Sequence, residues 1–163
     1  MEDAVITVRN LTNRFGKNAV HQGLDLEVRR GEVLGVVGAS GSGKSVTAAL
    51  RYWKIEPEEA LLAHDELDLA PGTARLKFDG GHGGQNGLRD TMQLLGHGKF
   101  HRLRIGIGHP GHKDKVTGWV LGKPGKDDEI LIGRAIDEAI DVLPLAVAGN
   151  FMDAMTKLHT SKE

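Results

Sequence analysis

A glycine-rich segment between an apolar run and a helical pattern constrains the fold more than any other feature. The segment GASGSGKS occupies residues 38–45, directly after the apolar run at 32–37. Residues 46–53 follow it, and their apolar side chains recur at helical spacing. The segment matches the phosphate-binding loop that joins a strand to a helix. Units of this kind occur in α/β folds, so the segment favours a sheet covered by helices.

Strand patterns and helix patterns alternate along the rest of the chain. Apolar and polar alternation and short apolar runs predict strands at 5–9, 24–28, 32–37, 61–64, 73–78 and 102–107. Helical spacing predicts helices at 46–53, near 88–95, from the acidic residues at 127–129 to a stop at Pro144, and over 151–158. We therefore predict one α/β domain over residues 1–163, a three-layer αβα architecture with a mixed, mainly parallel sheet.

Composition excludes several classes of protein. The chain has 163 residues, 39% of them hydrophobic, which suits one globular domain. Its net charge of -1 excludes a uniformly basic nucleic-acid binder, and the absence of cysteine excludes disulfides and a thiolate nucleophile. The N-terminus lacks the basic and apolar regions of a signal peptide, and no run of apolar residues is long enough to span a membrane. We expect a cytoplasmic monomer without a membrane partner.

The first part of the chain resembles the opening of an ABC-transporter ATPase. The resemblance is carried by VITVRNLTNRFGKNAVHQGLDLEVRRGEVLGVVGASGSGKS and stops near Val46. It implies a site for ATP and Mg²⁺, with Phe15 stacked on the adenine. The site residues on the phosphate side are Gly38, Gly41 and Gly43 in the loop, Lys44 for the outer phosphates and Ser45 for Mg²⁺. The acidic strand end, glutamine loop, LSGGQ segment and switch histidine of these ATPases are not found downstream. A complete ATPase is therefore not expected, and the loop could instead be a plain connection between a strand and a helix.

From about residue 42 to the C-terminus the sequence resembles bacterial peptidyl-tRNA hydrolases. The segments that carry the resemblance are SGKSVTAAL, IEPEEALLAHDELDL, GGHGGQNGLRD, FHRLRIGIGHPG and VLGKP. Enzymes of that family cleave the ester between a peptide and the 3' end of tRNA, with a histidine base oriented by an aspartate and with asparagines that hold substrate and water. The resemblance implies no required cofactor. Because residues 1–46 resemble another family, the chain looks chimeric.

The resemblance implies a set of site residues. Asp65 corresponds to the family aspartate, although it could instead cap a turn, and Asn86 corresponds to a family asparagine, although it could instead cap the helix near residue 88. Gln85 stands where the family usually has histidine. Arg75, Lys77 and Arg104 correspond to positions that contact the acceptor stem of tRNA, while Asp79 stands where the family has glycine and adds a negative charge beside them.

The resemblance to the hydrolases does not supply a catalytic base. The family histidine lies in an N-terminal stretch that this sequence does not contain, and His21 lies in a context that matches the transporter pattern instead. We therefore expect impaired hydrolysis, with a phosphate-binding chimera or an inactive folded chimera as alternatives. The histidine pairs at 97 and 101 and at 109 and 112 lie in turns, so no metal site is predicted.

Overall fold

The structure, a computed structural model, describes residues 4–15, 18–29 and 43–160. The chain divides into two compact units, residues 1–37 and residues 38–163. The first contains strands β1 (Ala4–Phe15) and β2 (Asn18–Arg29), which pair antiparallel. The strands predicted at 5–9 and 24–28 are parts of these longer strands, and the one predicted at 32–37 lies outside the described residues. That the two units form one domain stays a prediction.

The second unit alternates strands and helices. In chain order its elements are α1 (Gly43–Trp53), β3 (Leu61–Glu66), β4 (Ala74–Phe78), α2 (Asn86–Leu95), β5 (His101–Gly106), α3 (Val116–Leu121), α4 (Lys126–Val147) and α5 (Phe151–Thr160). The strands and helices predicted downstream of residue 45 are therefore present, with bounds that differ by a few residues. None of the helices within the described ranges is both long and apolar enough to cross a membrane.

Strand β5 lies at the centre of a mixed sheet. The order is β3-β5-β4, with β5 parallel to β3 and antiparallel to β4. Leu76 and Leu103 are paired across β4 and β5 and belong to the core cluster with α4 and α5. Side chains alternate along a strand, so Arg102 points to the opposite face, where it contacts Met92 of α2. Helices therefore cover both sides of the sheet, which confirms the predicted α/β class.

The core between the sheet and the C-terminal helices is built on small side chains. Four buried residues of α4 face the sheet at helical spacing: Ala135, Ala139, Val142 and Ala146. Three of them are alanines, which allow α4 to lie close to the strands and to α5. Leu158 of α5 fills the same cluster at 2% exposure. This core cluster packs the C-terminal helices against β4 and β5. These two strands contain the basic residues that the sequence analysis identified.

Pro144 does not end α4, contrary to the prediction. The helix continues to Val147 with Pro144 inside it. A proline in a helix removes one hydrogen bond to the carbonyl four residues earlier, which here belongs to Ile140. Two features offset that loss: Ala146 is buried in the core, and the N–H of Ala148 donates to the Pro144 carbonyl at 3.1 Å. Core packing therefore overrides the local stop signal.

His159, near the end of α5, joins that helix to strand β4. Its Nε2 accepts a hydrogen bond from the backbone N–H of Leu76 at 3.2 Å, and its carbonyl oxygen accepts one from the Arg75 guanidinium at 3.3 Å. Only an unprotonated Nε2 can accept, so the neutral ring is the form that fits the fold. Burial, followed by the positive charge of Arg75, lowers the pKa of His159 below its ordinary 6.5.

We expect the free energy of unfolding to fall as the solution is acidified below about pH 6.5. A histidine whose pKa is lower in the folded state binds its proton more readily when unfolded, so its stabilising contribution is present above the unfolded pKa and is lost as the pH falls through the folded one. Urea unfolding of wild type and His159→Gln at several pH values between ~5 and ~8 measures this. The variant retains an acceptor for Leu76 but does not titrate, so its pH dependence should be shallower. Equal pH dependence would contradict the assignment. Some slope should remain, because burial also lowers the pKa values of His64 and His101.

Candidate functional site

Asp65 and Gln85 meet at the end of strand β3. Asp65 is the last residue but one of β3, and Gln85 directly precedes α2. The Gln85 side-chain amide donates to Asp65 Oδ1 at 3.3 Å across 20 positions in sequence. The carboxyl ends of strands in α/β sheets are where loops from several elements meet, so this is a common location for a binding or catalytic site. Two of the predicted site residues are therefore brought together.

Gln85, rather than Asn86, is the N-cap of α2. The Gln85 side-chain oxygen accepts from the backbone N–H of Leu88 at 2.7 Å, while Asn86 is the first helical residue and is exposed. The alternative in which Asn86 caps the helix is therefore wrong, because the helix begins one residue earlier than the pattern indicated. The two ends of the Gln85 amide have separate partners: the oxygen fixes the helix N-terminus and the nitrogen reaches Asp65.

The loop before Gln85 has a defined conformation. Gly83 and Gly84 have positive φ angles of 56° and 84°, which glycine adopts without strain. The N–H of Gly84 donates to His82 Nδ1 at 3.0 Å, and the N–H of Gln85 donates to the His82 carbonyl at 2.9 Å. Two further carbonyls of the loop, those of Gly80 and Gly81, accept from the guanidinium of Arg102.

His64 precedes Asp65 and is partly buried. Its Nδ1 lies 2.7 Å from the Asp65 carbonyl oxygen, while its Nε2 has no hydrogen-bond partner within the part of the chain that the structure describes. Burial is the main cause that lowers the His64 pKa, although the neighbouring Glu66 and Asp65 oppose it. A neutral ring that donates through Nδ1 fits this environment. His64 thus hydrogen-bonds to the backbone carbonyl of Asp65.

The basic residues predicted to contact tRNA lie on adjacent strands. Arg75 of β4 pairs in register with Arg104 of β5. The Arg104 Nε lies 2.8 Å from a carboxylate oxygen of Glu66, which offsets its charge. Burial alone would raise the pKa of Glu66, but the hydrogen bond from Arg104 and a backbone N–H outweigh it, so the pKa is lowered and the ion pair persists. Arg75 reaches α5, and Lys77 is exposed, so Lys77 presents the least compensated charge of the three predicted contacts.

The residues downstream of position 39 match the family model described as peptidyl-tRNA hydrolase, over residues 40–163. The chain belongs to the peptidyl-tRNA hydrolase family. A peptidyl-tRNA hydrolase from Stenotrophomonas maltophilia strain R551-3 is 83% identical over 121 residues, and one from Xanthomonas campestris pv. campestris strain 8004 is 76% identical over 122 residues. These matches cover 74% and 75% of this chain, and the chain spans 63% of the length of each relative.

Solved structures of the family have the same fold. A crystal structure of peptidyl-tRNA hydrolase from Acinetobacter baumannii superposes with a TM-score of 0.72 at 48% identity. The superposition covers 74% of this chain and 61% of that one. The similarity shows that the part of this chain covered by the superposition has the fold of the hydrolase family.

The residues predicted to bind nucleotide are only partly described. Phe15 ends β1, Gly38 and Gly41 lie outside the described residues, and Gly43, Lys44 and Ser45 begin α1. A Cβ added to Gly43 would lie 2.6 Å from the Thr91 backbone nitrogen and 2.8 Å from the Gly87 carbonyl oxygen. The close packing of α1 on α2 therefore accounts for a glycine at position 43 without a phosphate. His21 lies in β2, in the unit described separately from this site.

Sequence reasoning overlooked Arg102 and Glu66. Arg102 is 2% exposed and Glu66 is the ion-pair partner of Arg104. The spacing of Arg102 and Arg104 in the sequence places both on one face of the strand. It does not show that Arg102 is buried and that Arg104 is ion-paired, which depends on their tertiary contacts. Among the described residues, no three His, Asp, Glu or Cys side chains are grouped as metal ligands.

Proposed function

We propose that this chain binds the acceptor end of peptidyl-tRNA and catalyses hydrolysis of the ester between the peptide and the tRNA. The observation that supports it is the hydrogen bond between Gln85 and Asp65, at the end of β3 in a chain of the hydrolase family. Asn86, exposed at the first position of α2, is proposed to hold the substrate or the attacking water. No cofactor is required by this chemistry.

The reaction needs a water molecule, a base and donors that stabilise charge. The water oxygen attacks the ester carbonyl, its proton passes to a base, and the 3' oxygen of the tRNA leaves with a proton. Amide donors and the N-terminus of α2 can stabilise the negative charge that develops on the carbonyl oxygen. In the described part of the site, the Asp65 carboxylate accepts a hydrogen bond from Gln85, and it would orient a base or a water molecule.

We propose that hydrolysis is slow. Among the described residues, the side-chain partner of the Asp65 carboxylate is Gln85, whose amide can donate and accept but cannot take a proton as a base. Carboxylates as a class are weaker general bases than imidazoles near neutral pH. General-base catalysis by a well-matched group contributes roughly 10²–10⁴-fold, so a site that depends on aspartate alone is expected to fall short of an imidazole by about that factor.

We propose that tRNA binds to the face of β4 and β5 that carries basic side chains. Lys77 is exposed and lies beside the glycine-rich loop, since a Cβ added to Gly80 would be 2.8 Å from Lys77 Nζ. Arg75 lies two positions before Lys77 on the same face of β4, opposite Arg104 of β5. Phosphate groups attract such a surface without reading sequence, and the attraction depends on salt. Asp79 reduces the net charge at this end of β4.

Replacement of Lys77 by glutamine should weaken tRNA binding and reduce its salt dependence. Each lost phosphate contact lowers the slope of log affinity against log salt by about 1. Binding of a deacylated tRNA, titrated at several salt concentrations, measures the slope for wild type and variant. Lys126→Gln, which removes an exposed lysine from the start of α4, is the matched control. Equal slopes for Lys77→Gln and wild type would contradict a phosphate contact at Lys77.

Phosphate or nucleotide binding near residues 38–45 is the second candidate. It is supported by the exposure of Lys44 and Ser45 in the first turn of α1, where a helix N-terminus attracts anions. The family match begins at residue 40, so the residues before it are outside the hydrolase pattern. This boundary supports the proposal that the chain joins segments of different origin, with residues 1–46 derived from an ABC-transporter ATPase.

Single-turnover hydrolysis of an N-blocked aminoacyl-tRNA by the purified chain tests the main proposal. Release of the blocked amino acid faster than in a protein-free control supports a hydrolase, and release equal to that control contradicts it. MgATP binding is measured in parallel on wild type and Lys44→Ala. Binding that Lys44→Ala abolishes, without any ester hydrolysis, would favour the phosphate-binding candidate. An absence of both activities would favour an inactive chimera.

A further inference from the structure

Arg102 is a buried cation that donates hydrogen bonds mainly to backbone carbonyls. Its side chain projects from central strand β5 and is 2% exposed. Nη1 donates to the Gly81 carbonyl at 2.6 Å, and Nη2 donates to the Gly80 carbonyl at 2.5 Å and to the Gly98 carbonyl at 3.4 Å. The guanidinium also lies 4.8 Å from the centre of the Phe100 ring, which is completely buried.

A charge at this depth costs free energy unless it has partners, so its retention calls for a reason. The groups that Arg102 contacts are backbone carbonyls, an aromatic face and the sulfur of Met92, and none of these carries a formal charge. The carboxylates of Asp79 and Glu66 attract the guanidinium electrostatically, but the ion pair of Glu66 is with Arg104. Its Nε has no partner within the described residues. A planar guanidinium can hold several carbonyls in one fixed arrangement, which a flexible ammonium cannot.

The carbonyls that Arg102 holds begin the loop that ends at Gln85. Gly80 and Gly81 are fixed to β5, the turn at 82–84 is closed by its own hydrogen bonds, and Gln85 then caps α2 and donates to Asp65 at 3.3 Å. A side chain at position 98 would collide with this arrangement, since a Cβ there would lie 2.6 Å from the Gly80 carbonyl oxygen and 2.9 Å from Arg102 Nη2.

We propose that Arg102 is a positioning residue for the hydrolase site: it fixes the glycine-rich loop at 80–84 against β5 and thereby sets the position of Gln85 beside Asp65. The inference rests on the proposed hydrolase function. Arg102 itself does not touch substrate. A displacement of the loop by about 1 Å is sufficient to lower a reaction rate by roughly 10²-fold when it moves a catalytic constellation.

The test compares single-turnover rate constants and tRNA affinities for wild type, Arg102→Lys, Gln85→Ala and the double variant. Arg102→Lys should lower the rate constant by about tenfold or more while tRNA affinity stays within about twofold. If Arg102 acts through the loop, the double variant should be no slower than the slower single variant. Three results would overturn the proposal: a double variant whose loss in rate constant is the product of the two single losses, a variant Arg102→Lys that loses only tRNA affinity, or one whose rate constant equals that of wild type.

Arg51→Lys is the matched control, because Arg51 also binds a carbonyl of another helix, that of Leu94 at 3.3 Å, and belongs to no proposed site. Its rate constant should equal that of wild type. Should Arg102→Lys fail to fold, Gly98→Ala takes its place, because the added methyl displaces the guanidinium and retains its charge.

Amide hydrogen exchange separates this proposal from the proposed function. In Arg102→Lys, or in Gly98→Ala, the segment 79–86 should exchange faster while α4 keeps its wild-type protection. If wild type hydrolyses no ester, the proposed hydrolase function is contradicted. Faster exchange at 79–86 in the variants would then still support the fixing of the loop by Arg102. Unchanged exchange at 79–86 overturns the positioning role, whether or not the chain hydrolyses an ester.

Discussion

Replacement of Gly106 by alanine is expected to destabilise the fold by about 3 kcal/mol, at the upper end of the usual range for added core atoms. Gly106 ends the central strand β5 and pairs with Glu66 of β3. An added Cβ would meet the Ala70 carbonyl oxygen and would lie 2.8 Å from the Leu69 carbonyl oxygen. Both are backbone atoms, so the turn that contains them would have to move as a whole.

That turn is fixed by its own hydrogen bonds, which explains the expected size of the effect. The N–H of Gly108 donates to the Leu69 carbonyl at 2.9 Å, and the N–H of Gly106 donates to the Thr73 carbonyl at 2.8 Å. Displacement of the turn would weaken these bonds next to the strand end that carries Asp65. For a chain of this size, thermal unfolding should show a melting temperature lower by roughly 10 °C.

Gly133→Ala is the matched control for Gly106→Ala. Gly133 lies inside α4, and a Cβ added there would have no neighbour within 4 Å. Alanine favours a helix interior over glycine by about 0.5–1 kcal/mol, so the control should be as stable as wild type or more stable. Similar losses for both variants would mean that close backbone approach at Gly106 is not the cause.

The sequence predicted the elements of the second unit because their local signals agree with their tertiary context. Strand β5 has apolar residues on one face, Leu103 and Ile105, and these pack toward the core cluster. The exception is Pro144, where the local signal predicts a helix end and the burial of Ala146 continues the helix instead. Periodicity indicates which face of an element a residue occupies, but it does not indicate how much tertiary packing stabilises that face.

The site was predictable in part for a related reason. Resemblance identified Asp65, Gln85 and the three basic residues, but the roles within that set depend on contacts across the chain. Gln85 lies 20 positions from Asp65, and Arg104 lies 38 positions from its partner Glu66. No local pattern encodes those pairings. A difference of one residue in the start of α2 changes which side chain is the N-cap, so the pattern offered Asn86 as the cap although Gln85 caps the helix.

The role of Arg102 was beyond sequence reasoning because arginine on a strand is usually exposed. Its neighbour on the same face, Arg104, has the expected carboxylate partner, whereas Arg102 is held by backbone carbonyls of a loop 20 or so positions earlier. Backbone acceptors have no signature in a sequence. The tertiary contacts distinguish the two arginines: the carbonyls of Gly80, Gly81 and Gly98 accept from Arg102, and the carboxylate of Glu66 pairs with Arg104.

Replacement of Asp65 by asparagine is expected to remove ester hydrolysis above the protein-free background while the fold is preserved. Asparagine has the same shape, and its side-chain oxygen can still accept from Gln85 Nε2, so the contact at 3.3 Å remains possible. It removes the negative charge that would orient a base or water, or stabilise a proton taken from the attacking water. Single-turnover release of a blocked amino acid from tRNA measures the loss, and tRNA affinity should change little.

Asp68→Asn separates the charge of Asp65 from the general acidity of this segment. Asp68 lies three positions further along the same acidic stretch and is exposed, so its removal changes the net charge of the chain by the same amount. A lower rate in Asp65→Asn with a wild-type rate in Asp68→Asn would assign the effect to the carboxylate that contacts Gln85. Equal rates in wild type and both variants would remove Asp65 from the chemistry. Because Asp65→Asn retains the Gln85 contact and Arg102→Lys disturbs it, different outcomes for the two would show whether charge or position limits the reaction.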